Sequence, residues 1–149
     1  MYMEDNAEQR QITTTRVINA PFDKVYAAWT DPTQLVEWWG PKDFTNTFHS
    51  FDHRPGGHWV YTMHGPNFIG HFENEGVFIE ITPNKIVWDR VSKPHFRTIV
   101  NFEDLSGQTK ITWLMQMATQ VEYDKMKGFI PEKNEENMDR LEAFLAAKG

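Results

Sequence analysis

The sequence predicts an α+β domain in which a strongly curved antiparallel sheet of about six or seven strands grips one long C-terminal helix. Two short helices are set in after the first strand. Three observations carry this. Between Phe44 and Met117 the chain falls into short segments rich in β-branched and aromatic residues, several alternating with period two, joined by turns too short for helical crossovers. The stretch Ala20 to Pro41 interrupts that pattern with two helical stripes, and the chain after Pro131 changes to helical spacing for good.

In order along the chain, Met1 to Arg10 is polar and without pattern, expected as a flexible tail ahead of a single domain spanning 11–149. Ile12 to Asn19 is β-branched and forms the first strand. Pro21 then suits a first helical turn, Asp23 sits near the positive end of the helix dipole, and Phe22, Val25, Tyr26 and Trp29 share one stripe at i, i+3, i+4 and i+7. Asp31, standing before Pro32, is driven out of helical geometry, so one helix stops there and a second starts with Asp31 as its cap. Gly40 and Pro41 end it. Trp38 and Trp39 on its last turn point roughly 100° apart. One therefore anchors the helix, and the other, assigned as Trp39, lines the space beside it.

Phe44 to Asp52 is the second strand, with Phe44, Asn46, Phe48 and Ser50 on one face. Pro55, Gly56 and Gly57 turn it into His58 to His64, where Trp59, Tyr61 and Met63 alternate against His58, Val60, Thr62 and His64. A long strand from about Ile69 to Ile81 follows, with Gly70 and Gly76 as the expected bulge points. Lys85 to Val91 sets Ile86, Trp88 and Arg90 together, Phe96 to Asp104 is the next strand, and Thr109 to Met117 puts Ile111, Trp113, Met115 and Met117 on one side. Val121 to Phe129 holds a short turn. From Pro131 the final helix carries Met138, Leu141, Phe144 and Leu145 on its apolar face.

Composition removes several function classes. The 149 residues carry a net charge of -6 with Lys and Arg scattered among acids, so neither a nucleic acid nor an anionic lipid surface is an expected partner. No apolar run is long enough to insert in a membrane. The chain has no cysteine, which excludes disulfides, thiolate metal sites and a cysteine nucleophile, and suits a reducing cytoplasm. What stands out is six Trp, eleven Phe and seven Met, more large flat and thioether side chains than a plain core of this size needs.

The order of the double-helix segment, then HSFDHRPGGHWVYTMHGP, then EITPNKIVW, and finally NMDRLEAFL resembles the single-domain branch of the START-like (SRPBCC) superfamily. Within it, the chain is similar to homologues of the activator of heat-shock protein 90 ATPase. The likeness runs from about Ile12 to the C-terminus. It implies the helix-grip fold of Bet v 1/START type, with a cavity between sheet and helix that binds a small hydrophobic or aromatic ligand, and no cofactor. It also names two alternatives: a cochaperone-like contact with a chaperone partner, and, from distant members, a polyketide cyclase or aromatase. The eukaryotic activator has a separate N-terminal domain, for which these residues are expected to leave no room. One departure concerns the cavity. Family members commonly carry a Gly-Trp pair four to five residues before the leucine of an LDRL-like block, and Lys133 and Asn134 stand there instead. An amide replaces an indole, and Asn134 becomes a candidate polar contact.

A curved sheet meeting an apolar helix leaves space that side chains do not fill. At roughly 24 cal/mol per Å³, an empty cavity of about 300 Å³ costs about 7 kcal/mol, comparable with the roughly 5 to 15 kcal/mol that stabilise a whole domain. A large cavity therefore has to be open, wet or occupied. Its walls are assigned to Trp39, Phe48, Trp59, Tyr61, Met63, Trp88, Trp113, Met115 and Met117, with Asn134 and Met138 added from the helix. Each of these alone is equally at home in a plain core, so the assignment rests on their number together with the implied family. Arg90, if it faces inward, meets an anionic ligand group or pairs with a buried acid.

No catalytic residue and no metal ligand is assigned. There is no G-x-S-x-G elbow, phosphate loop or dinucleotide fingerprint. His58 and His64 share a strand face but stand roughly 20 Å apart, too far to share an ion. His49, His53, His71 and His95 lack helical i, i+4 spacing and read as solvated or edge residues. Glu73 and Glu75 share a strand face that reads as solvent-exposed.

Overall fold

The computed structural model describes residues 3–148. Strand β1 (Gln11–Ile18) leads into helices α1 (Phe22–Thr30) and α2 (Pro32–Trp38). Six strands follow: β2 (Thr45–Phe51), β3 (His58–His64), β4 (His71–Thr82), β5 (Lys85–Arg90), β6 (Phe96–Asp104) and β7 (Thr109–Met117). Helices α3 (Gln120–Met126) and α4 (Ile130–Lys148) close the chain. The strands form one antiparallel sheet in the order β1-β7-β6-β5-β4-β3-β2. Short turns force neighbours in sequence to be neighbours in the sheet; only β1 is displaced, across α1 and α2, to pair with β7.

The stretch expected as a tail carries structure of its own. Ala7–Arg10 forms a 3-10 turn, and the buried Arg10 guanidinium donates to the carbonyls of Glu4 (2.7 Å), Asp5 (2.6 Å) and Met117 (3.1 Å). A polar pattern hid this because the anchor is itself polar. Met1 and Tyr2, also assigned to the tail, lie outside the described residues.

The helix boundaries follow the local chemistry. The Asp31 carboxylate accepts from the backbone N–H of Thr33 at 3.0 Å, with Pro32 at the first position of α2. α2 ends at Trp38, and Gly40 takes φ +102, a conformation that only glycine adopts without strain. The orphan carbonyls at this helix end are taken up by α4. Asn137 Nδ2 donates to Trp38 O at 3.0 Å while its Oδ1 accepts from Gly40 N–H, and Arg140 reaches the carbonyls of Trp39, Gly40 and Pro41 at 3.0–3.1 Å. α4 is thereby stapled across α2, and its Met138, Leu141 and Leu145 are buried in the core.

Two bulges shape the sheet, and neither is at a glycine. One shifts register between Phe48 and Ser50, so Phe51 joins Phe48 on the inner side where alternation assigned Ser50. The other shifts register between Phe78 and Glu80. Gly76 pairs in regular register with both Trp59 and Arg90, and Gly70 lies in the turn before β4. Gly76 has a different use: a Cβ there would meet the Trp88 ring at 3.2 Å, so the missing side chain is the space the indole occupies.

All six tryptophans form one cluster centred on Trp39, whose ring centroid lies 5.3–6.0 Å from those of Trp29, Trp38, Trp59, Trp88 and Trp113. Most pairs are tilted or edge-to-face, the arrangement that aromatic quadrupoles favour. Trp38 is the anchor, with its indole N–H donating to Ala28 O at 3.0 Å.

His53 departs from the expectation of a solvated histidine. Its ring stacks on Phe51 (centroids 5.4 Å) and meets Phe78 edge-on (4.8 Å), and neither ring nitrogen has a partner. Burial holds its pKa below the ordinary value of 6.5. The folded state therefore takes up a proton less readily than the unfolded chain, and stability declines as pH falls below about 6.5. His53→Phe is expected to flatten the decline in melting temperature between pH 7 and 5.5, read by calorimetry. An unchanged slope would remove His53 from this role.

Candidate functional site

Between the inner face of the sheet and the N-terminal half of α4 lies a cavity of about 500 Å³. Its inner end is the tryptophan cluster. β3 contributes Trp59, Tyr61 and Met63, β5 contributes Trp88 and Arg90, and β7 contributes Trp113, Met115 and Met117. These are alternate residues of each strand, so they share one face. Trp39 enters from the end of α2 and Asn134 from α4. Ten of the twelve residues assigned from sequence are thus brought together.

Phe48 and Met138 are not on the cavity wall and correct the assignment. Phe48 sits behind it, its ring 5.5 Å from Trp59 and 5.7 Å from Tyr61, because β2 is the edge strand and the cavity ends at β3. Met138 is fully buried one helical turn beyond Asn134, past the cavity's end.

Sequence reasoning left several lining residues unassigned. Asn74 and Gly76 on β4 stand opposite Tyr61 and Trp59, and Phe96 and Thr98 on β6 stand opposite Met117 and Met115. Extending the alternation of β3 and β7 to their partners would have found them. Phe72 continues the Asn74 and Gly76 row opposite Met63, whereas Phe44 and Phe129 come from loops, where no period operates. Phe72 and Phe129 are nearly half exposed and mark the mouth.

Few polar groups interrupt the wall. Trp39 N–H donates to the Tyr61 hydroxyl at 3.2 Å, and burial pushes the Tyr61 phenol up, which keeps it protonated. Asn134 Nδ2 makes only a weak 3.3 Å contact to Met115 Sδ. Asn137 lines the wall as well, with both its amide atoms engaged by the end of α2. Arg90 faces inward from β5; its sequence neighbour Asp89 points to the opposite face, held by Arg97 through two hydrogen bonds of 2.7 and 2.9 Å. If a 500 Å³ space stayed empty, the cost would be about 12 kcal/mol, as much as a whole domain's stability.

The outer face carries a different chemistry. His58 pairs with Glu75 at 2.8 Å, Thr62 joins His49 to Glu73, and the His64 and His71 rings meet Nδ1 to Nδ1 at 2.7 Å. Among the described residues, no three His, Asp or Glu side chains converge as a metal centre requires. No described helix is long and apolar enough to cross a membrane.

A curved antiparallel sheet gripping a long C-terminal helix, with two short helices after the first strand and a cavity between, defines the helix-grip class. Solved structures share it. A crystal structure from Nitrosomonas europaea matches with a TM-score of 0.82 at 23% identity, covering 93% of this chain and 95% of that one. A solution structure from Arthrobacter aurescens matches with a TM-score of 0.86 at 23% identity, covering 99% and 92%. An AHSA1-like protein from Aeromonas hydrophila matches with a TM-score of 0.74 at 19% identity, covering 93% and 94%. The family described as Activator of Hsp90 ATPase homolog 1-like protein matches residues 19–146, and the chain belongs to that family, within the START-like superfamily. No protein of curated function matches the chain.

Proposed function

We propose that the protein binds a small hydrophobic or aromatic molecule in the cavity between sheet and α4, without a cofactor, in the cytoplasm. The observation that carries this is the cavity itself: about 500 Å³, walled by indoles, rings and thioethers, with few polar groups to orient a guest. The methionines allow the wall to adapt to more than one shape. A thermal-shift screen of flat lipophilic compounds tests it. A binder at a hundred times its dissociation constant adds about 2.7 kcal/mol, which for a domain of this size raises the melting temperature by roughly 5–10 °C. Trp59→Ala or Trp113→Ala should abolish the shift, with circular dichroism confirming that each variant folds. A shift that survives both rejects the site.

A second reading is contact with a chaperone partner. It is favoured by the family description and by an exposed apolar tip between β3 and β4, where Phe68 is fully exposed and Ile69 more than half so. Titration of the protein into a purified heat-shock protein 90 ATPase assay separates the readings, and a flat response rejects this one.

A further inference from the structure

Arg90 is a cation in a largely apolar wall, and among the described residues no carboxylate pairs with it; Glu75, which also borders the cavity, is engaged by His58. Burial pulls the Arg90 pKa below the ordinary value. Its hydrogen-bonding partners are neutral: NH1 donates to Asn74 Oδ1, and NH2 donates to Lys93 O at 3.3 Å. Nε has no partner. A guanidinium has five N–H donors, so two are in use and three are not. The acids that might have served are committed elsewhere. Asp89 is held by Arg97 on the other face of the sheet, Glu75 pairs with His58, and Glu122 binds His95 N–H and Thr119. The other cation on the wall, Lys133, sits half exposed at the mouth and pairs with Glu136 at 3.7 Å.

The surroundings of Arg90 are built to hold it in place while leaving its charge unneutralised. Asn74 Nδ2 donates to Phe72 O at 2.9 Å, which fixes the amide so that its oxygen, a neutral acceptor, faces Arg90. The Phe96 ring lies 5.6 Å from the guanidinium carbon and covers one face of it. Tyr61, directly across the β3–β4 pair from Asn74, accepts from Trp39 and, among the described residues, donates its own O–H to nothing. Its hydroxyl proton is therefore available on the same cavity wall as the guanidinium, one strand away across Asn74.

We propose that the cavity takes a flat apolar molecule carrying one carboxylate, with the carboxylate bound by Arg90 and the Tyr61 hydroxyl and the apolar body lying against the tryptophans. The proposal rests on the cavity-binding reading and narrows it. The planar fork of arginine matches a carboxylate, and hydrogen bonds to a charged acceptor are the strong ones. A single cation balances a single negative charge, whereas a phosphate dianion would leave one charge unbalanced against an apolar wall.

The test uses matched pairs of increasing size: benzoate, 2-naphthoate and anthracene-9-carboxylate against their methyl esters, with binding read from tryptophan fluorescence and titration calorimetry. Wild type should bind the acid of the best-fitting pair at least about tenfold more tightly than its ester. Arg90→Met removes the charge, and Asn74→Asp supplies an internal carboxylate of the same shape. In both, the acid-to-ester ratio should fall to within about threefold of one, with near-ultraviolet circular dichroism confirming the native tryptophan cluster. If acid and ester bind wild type equally, or the preference survives both substitutions, the carboxylate assignment is overturned while cavity binding stands. Tighter binding of 2-naphthyl phosphate than of 2-naphthoate also overturns it. If none of the six compounds binds, the cavity reading and this proposal fall together.

Discussion

Trp39→Ala is expected to lower the stability of the protein by about 3–5 kcal/mol, the range for removing a large aromatic side chain from a core. For a domain of this length that amounts to a fall of roughly 10–15 °C in melting temperature. Trp39 is the hub of the aromatic interior, with its ring within 6.0 Å of the five other indole rings and its N–H on the Tyr61 hydroxyl. Its carbonyl also joins the second strand to the last helix, accepting from Asn46 at 2.8 Å and Arg140 at 3.0 Å. The backbone link survives the substitution; the ring contacts do not. The gap opens directly into a cavity that already exists, so the walls have no opposite surface onto which to collapse. Trp39→Phe retains an edge-to-face partner for most neighbours and should lose less than half as much. Urea unfolding followed by circular dichroism checks both, and a loss below about 1 kcal/mol for the alanine variant would show that the cluster is held by its periphery.

Asn134→Trp should act in the opposite sense on stability and severely on binding. Asn134 is buried at the helical wall of the cavity, with only a sulfur contact for its amide nitrogen. Placing an indole here fills part of the cavity and removes a poorly paired amide, a change of the cavity-filling kind that commonly adds about 0.5–2 kcal/mol. The same indole occupies the volume a guest would need, and the affinity for any aromatic probe should drop at least tenfold. Differential scanning calorimetry and fluorescence titration on one preparation read both effects. Retention of wild-type affinity would mean that the guest does not lie against α4.

Most of the architecture was legible because its signals are local. Alternation in β3, β5 and β7 set their inner faces, and Asp31-Pro32 marked the break between the two short helices. Parity failed where a bulge intervened, as at His49, since one extra residue inverts every later side chain on the strand and leaves no mark in composition. The glycines suspected of bulging turned out to serve a turn and the packing of Trp88. Nothing local in the sequence marks Asn137 and Arg140, which hold α2 to α4, because their partners are backbone carbonyls about 100 residues away. Arg10 was missed for the same reason, with Met117 as its distant partner.

The sequence by itself determined the order and type of the elements, the inward rows of tryptophan, tyrosine and methionine, and the family to which they belong. Hydrophobic period, turn chemistry and helix caps are properties of neighbouring residues. The tertiary structure alone decided which of those rows converge, that Phe48 and Met138 stand apart from the cavity, and that Arg90 enters it while Asp89 is held by Arg97 on the far side. Convergence depends on strand register and sheet curvature, which are set by contacts between segments far apart in the chain, and a partly buried charge with no counter-ion among the described residues becomes visible only when its neighbours are known.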